Sequence, residues 1–307
     1  MVKHFLKTFW SLIGIALFVS ACGTQAGNPA NQPIKVLAVE TFLGDIAQNV
    51  AGDRIKIDTL IPIGVDPHAF EPTPQDVTRI AESQVLIVNG AGFETWLAKT
   101  LDNAGSEHTI VEASAGLVSR KPTAGEIPDA EHTIDPHFWL DPNNVIKYAE
   151  NIRDALSIAD PAGKDIYTQN TEKYIGQLKD LHNWINAQVS QIPKENRVLV
   201  TNHESFGYFA DRYGFTIIGT VIPSTSSEAS PSAKQMAILI DQIKQKNVKA
   251  IFLETGANPQ LADQIAQETG IKVVYDMYTH SITTADGAAP TYIEMMKHDV
   301  NLLAILK

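Results

Sequence analysis

Short apolar runs alternate with segments of helical pattern twice over along this 307-residue chain, and that alternation limits the fold more than any other feature. In the first series, residues 34–39, 55–61, 85–88 and 109–111 read as strands, with helices expected over about 44–50, 74–82 and 93–101. A second series starts with a strand at 198–200. It continues through a helix at 206–213, a strand at 216–218, a helix at 231–246, a strand at 250–253, a helix at 259–268, a strand at 272–275 and a last helix at 290–303. Short apolar strands separated by helices predict parallel β/α packing. The expected class is α/β, with two lobes, each a mostly parallel sheet flanked by helices.

Between the two series lies the most helical part of the chain. Asp160 is placed to cap and Pro161 to occupy the first helical position, after which Tyr167, Tyr174, Leu178, Leu181, Ile185 and Val189 recur at helical steps with no proline before Pro193. A helix of about 30 residues would be roughly 45 Å long and could cross both lobes as a stiff connector that limits their closure. The same stripe also fits an amphipathic core helix within one domain. The expected organisation is a signal peptide at 1–21, a tether at 22–33, an N-terminal lobe at 34–159, a linking helix at 160–192 and a C-terminal lobe at 193–307.

The N-terminus carries address rather than fold. Lys3 and Lys7 precede an apolar run at 9–19 that is too short to span a bilayer and has the proportions of a signal peptide. It meets Val19-Ser20-Ala21-Cys22, a lipobox, so Cys22 is expected to be lipidated and to become the mature N-terminus. Acyl chains on Cys22 would anchor the protein stably to a membrane. Residues 23–33, rich in Gly, Asn, Gln and Pro, read as a flexible tether. Cys22 is the only cysteine, which excludes an internal disulfide and any thiolate metal site. Cleavage after Ala21 removes two lysines and no acid, moving the formal charge from −11 to −13. Such a surface disfavours nucleic acid and attracts cations.

Four of the nine histidines, His68, His137, His203 and His280, fall at expected strand ends, at intervals of 69, 66 and 77 residues. No single helix or hairpin can unite residues so far apart, but repeated β/α units deliver their strand ends to one crevice, where four imidazoles could form a metal shell. Two of them share a local sequence, Asp66-Pro67-His68 and Asp135-Pro136-His137, in which proline stiffens the stem that presents the ring. Asp66, Asp135 and Asp141 are candidates to accept from the outer ring nitrogen of a ligating histidine. They serve equally well as turn formers and caps. His4 lies in the signal, and His108, His132, His182 and His298 read as solvated residues. Asn89-Gly90-Ala91-Gly92 lacks the remainder of any phosphate-binding fingerprint and reads as a turn before a helix. Ser230-Pro231 looks like a helix start.

With these segments in view, the chain resembles the metal-binding lipoproteins of ABC importers, the cluster A-I (cluster 9) solute-binding proteins for zinc and manganese. The resemblance runs from the lipobox to Lys307. Asp-Pro-His-Ala-Phe-Glu-Pro-Thr-Pro at 66–74 and Asp-Pro-His-Phe-Trp-Leu-Asp-Pro at 135–142 resemble the family's first two ligand segments, Thr-Asn-His-Glu-Ser-Phe-Gly-Tyr-Phe at 201–209 the third, and Met-Tyr-Thr-His-Ser-Ile at 277–282 the fourth. It implies metal ligation by His68, His137, His203 and His280 in a cleft between two α/β lobes joined by a long helix. It also implies an extracytoplasmic, lipid-anchored receptor, expected to be monomeric, that delivers metal to a membrane permease. Manganese members usually carry a carboxylate at the third position and Asp at the fourth, so histidine at both favours zinc, with manganese or iron below it. Should His280 turn away, Asp276, Glu204 or a water would complete the shell. A rival of another class is a zinc hydrolase with Glu204 as base, although His203-Glu204 lacks the second histidine of H-E-x-x-H, because residue 207 is glycine. An adhesin with a structural metal is a third reading.

Overall fold

The computed structural model describes residues 34–105, 108–121, 134–246 and 248–307; Cys22, the signal and tether segments and His132 lie outside them. Strands β1 (Val36–Ala38), β2 (Ile57–Thr59), β3 (Val85–Val88) and β4 (Thr109–Glu112) form a parallel sheet of order β2-β1-β3-β4. Strands β5 (Val198–Thr201), β6 (Thr216–Thr220), β7 (Ala250–Glu254) and β8 (Lys272–Met277) form a second parallel sheet of order β6-β5-β7-β8. In each sheet the winding direction reverses between the two central strands. The crevice at their carboxyl ends is where an open α/β sheet binds its ligands.

The helices are α1 (Thr41–Ala51), α2 (Pro74–Glu82), α3 (Leu97–Ala104), α4 (Pro142–Ala159), α5 (Lys164–Val189), α6 (Gly207–Tyr213), α7 (Ala233–Lys246), α8 (Gln260–Thr269) and α9 (Tyr292–Leu302). Their sequences explain their starts. Thr73 and Asp76 form a reciprocal capping box at the head of α2, with Pro74 at the first helical position. α4 was not expected from sequence, yet Asp141 accepts the Asn143 N–H at 2.9 Å, Pro142 follows, and Val145, Tyr148, Ala149, Ile152 and Leu156 make its buried stripe. The cap of α7 is Ser232, whose hydroxyl accepts from Gln235 N at 3.3 Å, rather than Ser230.

α5 runs 26 residues, about 39 Å, and buries Tyr167, Thr171, Tyr174, Leu178, Leu181, Ile185 and Val189. Asp160 does not cap it. A 3-10 turn, Pro161–Gly163, intervenes, and the Asp160 carboxylate is taken by the Arg54 guanidinium and the Tyr167 hydroxyl. The largest apolar cluster includes Val36 and Ile87 of the first sheet, Leu199 and Phe252 of the second, the inner face of α5, and Met295 and Val300 of α9. Two smaller clusters fill the opposite face of each sheet, one around Leu86 and Ile80 and the other around Ile251 and Ile243. Each sheet is therefore covered on both faces, and one core joins the two halves.

Candidate metal centre

Three of the four singled-out histidines leave from the carboxyl ends of the sheets: His68 from the loop after β2, His203 two residues beyond β5, and His280 three beyond β8. His137 comes from the turn that enters α4. The fold brings their ring nitrogens within 4.8 Å of one another, and among the described residues they form a group without Asp, Glu or Cys. His137 and His203 are wholly inaccessible, and His68 and His280 are 7% exposed. The Nε2 atoms of His137 and His203 stand 3.2 Å apart. That matches the edge of a tetrahedron of nitrogens around zinc, about 3.3 Å for bonds of 2.0 to 2.1 Å. His280 Nε2 is buried with no hydrogen-bond partner among the described residues, which suits a nitrogen with another use.

Aromatic rings wall the cluster. Phe93 meets His68 edge-on at 4.8 Å and stacks on His280 at 5.9 Å, while the Trp139 ring lies 5.1 Å from His137. Trp139 is held by its indole N–H, which donates to the Thr279 carbonyl at 2.7 Å, and by the Phe42 ring stacked at 4.6 Å. These apolar faces exclude water and make an ionised imidazole costly.

Carboxylates lie near the outer nitrogens of three of the four. His137 Nδ1 is 2.9 Å from Asp135 Oδ1, which also accepts the His137 backbone N–H at 3.0 Å. His203 Nδ1 is 2.9 Å from Glu254 Oε1, within ion-pair range although off the line of a well-aligned hydrogen bond. His280 Nδ1 lies 2.9 Å from the Thr279 hydroxyl and 3.6 Å from Glu254 Oε2. Burial drives the His137 pKa well below its usual value, and the three neighbouring imidazoles push the same way. Burial also lowers His280, against partial opposition from Glu254. At His203 burial is the largest influence and acts downward, but the charge and hydrogen bonding of Glu254 together with the charges of Asp66 and Asp135 outweigh it, so the pKa is raised. Burial would raise Glu254, yet His203, His280 and the Ser205 hydroxyl hold it below the usual carboxylate range.

The three flanking aspartates divide. Asp135 partners the imidazole of His137, whereas Asp66 accepts the backbone N–H of His68 at 2.9 Å and the Ser227 hydroxyl. Asp141 caps α4 and pairs with Arg212 at 2.6 Å, the turn-and-cap alternative. Of the proposed substitutes for His280, Asp276 is exposed at a left-handed φ of 65°, and Glu204 lies outside the cluster. His108, His182 and His298 are half-buried rather than solvated: they meet Ser83 O, Tyr213 Oη and Asp276 O at 3.0, 3.1 and 3.0 Å. Asn89-Gly90-Ala91-Gly92 is a turn with positive φ at its last three residues, tied by the Glu94 carboxylate to the N–H groups of Asn89 and Gly90. Sequence reasoning passed over Glu254 and the Phe93 wall. The available signal for Glu254 was a lone carboxylate ending the apolar run Ala-Ile-Phe-Leu at the same sheet edge as His203.

Comparison with known proteins places the chain in a family. The family model described as "Zinc-uptake complex component A periplasmic" matches residues 36–305. A curated relative, the manganese-binding lipoprotein MntA of Halalkalibacterium halodurans, is 35% identical over 290 residues, covering 94% of this chain and 93% of that protein. The manganese ABC transporter substrate-binding lipoprotein PsaA of Streptococcus pneumoniae is 30% identical, covering 97% of each. Among solved structures, the Mn-bound periplasmic metal-binding protein of Candidatus Liberibacter asiaticus superposes with a TM-score of 0.77 at 26% identity, covering 88% of this chain and 98% of that one. The periplasmic zinc-binding protein TroA of Treponema pallidum shares the fold, with a TM-score of 0.81 at 24% identity over 90% of this chain and 99% of that one. Its members are binding components of metal-uptake complexes rather than enzymes, and this chain belongs to that family, the periplasmic component A of zinc uptake, ZnuA.

Proposed function

We propose that this protein is an extracytoplasmic zinc receptor that binds one ion through His68, His137, His203 and His280 and passes it to the membrane permease of an ABC importer. The observation that carries the choice of zinc is the donor set: four buried imidazoles with no carboxylate oxygen among them. Neutral imidazole nitrogen in a tetrahedron suits zinc, whereas manganese favours oxygen donors and higher coordination numbers. In this reading residues 34–159 and 193–307 are the two lobes, 160–192 the connector, and Cys22 the lipidated anchor of a monomeric chain. Membrane attachment through lipid accords with the lipoprotein names of the relatives and with the lack, among the described residues, of any helix long and apolar enough to cross a bilayer.

Manganese is the second reading, favoured by the names of the two curated relatives. The contrast to measure is zinc against manganese, because Cu(II) exceeds zinc at almost any nitrogen site. Chelator-competition titrations of the purified protein should give a zinc dissociation constant at least about 100-fold below that for manganese. Equal affinities, or tighter manganese, would sink the zinc assignment while leaving the receptor reading intact.

A further inference from the structure

We infer that Glu254 is a shared positioning residue, a single carboxylate that fixes the orientation and proton placement of both His203 and His280. The inference rests on the four-histidine reading above and adds a residue that does not itself touch the ion.

The sheet order sets up the arrangement. β7 lies between β5 and β8, with Thr201 paired to Phe252 and Glu254 paired to Met277. His203 is two residues past Thr201, and His280 is three past Met277. The carboxyl end of β7 is thus flanked by both ligand-bearing segments, and the residue there is Glu254, 5% exposed. Its two oxygens divide between the neighbours, Oε1 at 2.9 Å from His203 Nδ1 and Oε2 at 3.6 Å from His280 Nδ1. Ser205 donates to Oε1 at 3.0 Å and steadies the carboxylate. Thr279, at 2.9 Å from His280 Nδ1, shares the second task.

A neutral imidazole carries one N–H and one lone pair, so holding the proton on Nδ1 leaves Nε2 bare for a metal. A carboxylate presents acceptors and negative charge on both oxygens, so with Oε1 at 2.9 Å from one Nδ1 and Oε2 at ion-pair distance from the other it favours the proton on Nδ1 of both rings. A glutamine of the same length presents one acceptor and one donor, so whichever histidine faces its NH2 group gains by moving its proton to Nε2. That histidine can then no longer ligate. The consequence is specific: neutralising Glu254 removes a nitrogen from the shell without altering any proposed ligand. Asp135 plays the corresponding part for His137 alone, and its charge is further met by Arg120 at 3.6 Å.

The test uses the mature chain carrying Glu254→Gln or Glu254→Asp, alone and combined with His280→Ala. Zinc affinity is read by chelator competition, the shell by zinc X-ray absorption and by the visible spectrum of the Co(II) form, and folding by melting before zinc is added. Glu254→Gln should weaken zinc about 10- to 100-fold and lower the count of zinc-bound nitrogens by one, with the melting temperature before zinc unchanged or raised. Glu254→Asp, able to reach one imidazole but not both, should fall between. The penalty of His280→Ala should shrink in the Glu254→Gln background. Zinc affinity within twofold of wild type for both Glu254 variants, full multiplication of the two penalties, or an oxygen of Glu254 bound directly to zinc would each overturn the inference. A wild-type zinc spectrum with fewer than four nitrogens would instead overturn the four-histidine shell, which separates the two failures.

Discussion

The substitution His280→Ala probes the least expected member of the cluster. In the four-histidine reading it removes one of four nitrogens. Losing a partner of a zinc-bound histidine typically costs 10- to 100-fold in affinity, so losing the ligand itself should cost at least about 100-fold, or about 2.7 kcal/mol. The zinc-free fold should change far less. The Phe93 and His203 rings, 5.9 and 5.1 Å away, lose packing, while a buried nitrogen with no hydrogen-bond partner disappears, and these effects oppose each other. The assay follows from linkage: at a buffered free-zinc level saturating both proteins, the stabilisation conferred by zinc should shrink by the same ~2.7 kcal/mol. For a body of this size that is roughly 5 °C of the zinc-induced shift in melting temperature. His280→Asp should recover binding but narrow the preference for zinc over manganese by adding an anionic oxygen. An alanine variant with wild-type zinc affinity and an undiminished zinc-induced shift would refute the assignment.

Acidification should release zinc steeply, because every ligand must be neutral to coordinate. His203, whose pKa the Glu254, Asp66 and Asp135 carboxylates raise against burial, is protonated at a higher pH than His137 and His280, which burial lowers. For the zinc-free fold the signs oppose: the His203 contribution is present below about pH 6.5 and lost as pH rises through its raised value, whereas those of His137 and His280 are present above about 6.5 and lost on acidification. Zinc affinity should therefore vary with pH far more than zinc-free melting does, and equal affinity at pH 7.5 and about pH 5 would contradict an all-imidazole shell. Glu40 is wholly buried beside Glu94, and burial, followed by the Glu94 charge and a side-chain hydrogen bond to Glu94, raises its pKa well above normal. Its contribution is complete below about pH 4.5 and is lost as pH rises through the raised value, so Glu40→Gln should melt above wild type at pH 8 with the gap closing toward pH 5. A gap independent of pH would mean that Glu40 does not hold its proton in the fold. Cys22→Ala should abolish stable membrane partitioning while leaving zinc affinity unchanged; equal partitioning of a correctly cleaved variant would exclude the lipid anchor.

The strands of both sheets and the long helix α5 could be read from sequence, because apolar runs and a stripe at helical spacing report burial directly. The 18-residue helix α4 escaped notice, although Asp141-Pro142 followed by Val145, Tyr148, Ala149, Ile152 and Leu156 carries a cap and a stripe as plain as those of α2. The motif at 135–142, which carries the candidate ligand His137, ends in Asp141-Pro142, so one Asp-Pro pair serves both as the close of the motif and as the helix start. Asp160 failed as a cap for a different reason: Arg54, distant in sequence, competes for its carboxylate with a charge-assisted bond stronger than a neutral cap. The four histidines were legible because their spacing and the repeated Asp-Pro-His survive in one dimension. Glu254 was not, since its meaning depends on β7 lying between β5 and β8, a strand order that no local pattern encodes.

That strand order and the shared core also bear on how an ion could leave. His280 follows β8 of the second sheet, yet its segment is tied to the first half of the chain. Trp139 donates to Thr279 O at 2.7 Å, Gly64 N donates to Ser281 Oγ at 2.9 Å, Thr41 Oγ1 donates to Ser281 Oγ at 3.2 Å, and Ile282 N donates to Thr41 Oγ1 at 3.0 Å. At about 1 kcal/mol net apiece, these bonds amount to only a few kcal/mol. Drawing the two sheets apart as rigid bodies would break the same bonds and also expose side chains of the cluster that joins Ile87 to Phe252 through α5 and α9, at about 25 cal/mol for each Å² of apolar surface. Exposing even two fully buried side chains such as Phe252 and Tyr292 adds several kcal/mol to that. In the four-histidine reading, displacement of the segment around His280 alone therefore costs less than separation of the halves, and it withdraws one imidazole of the four.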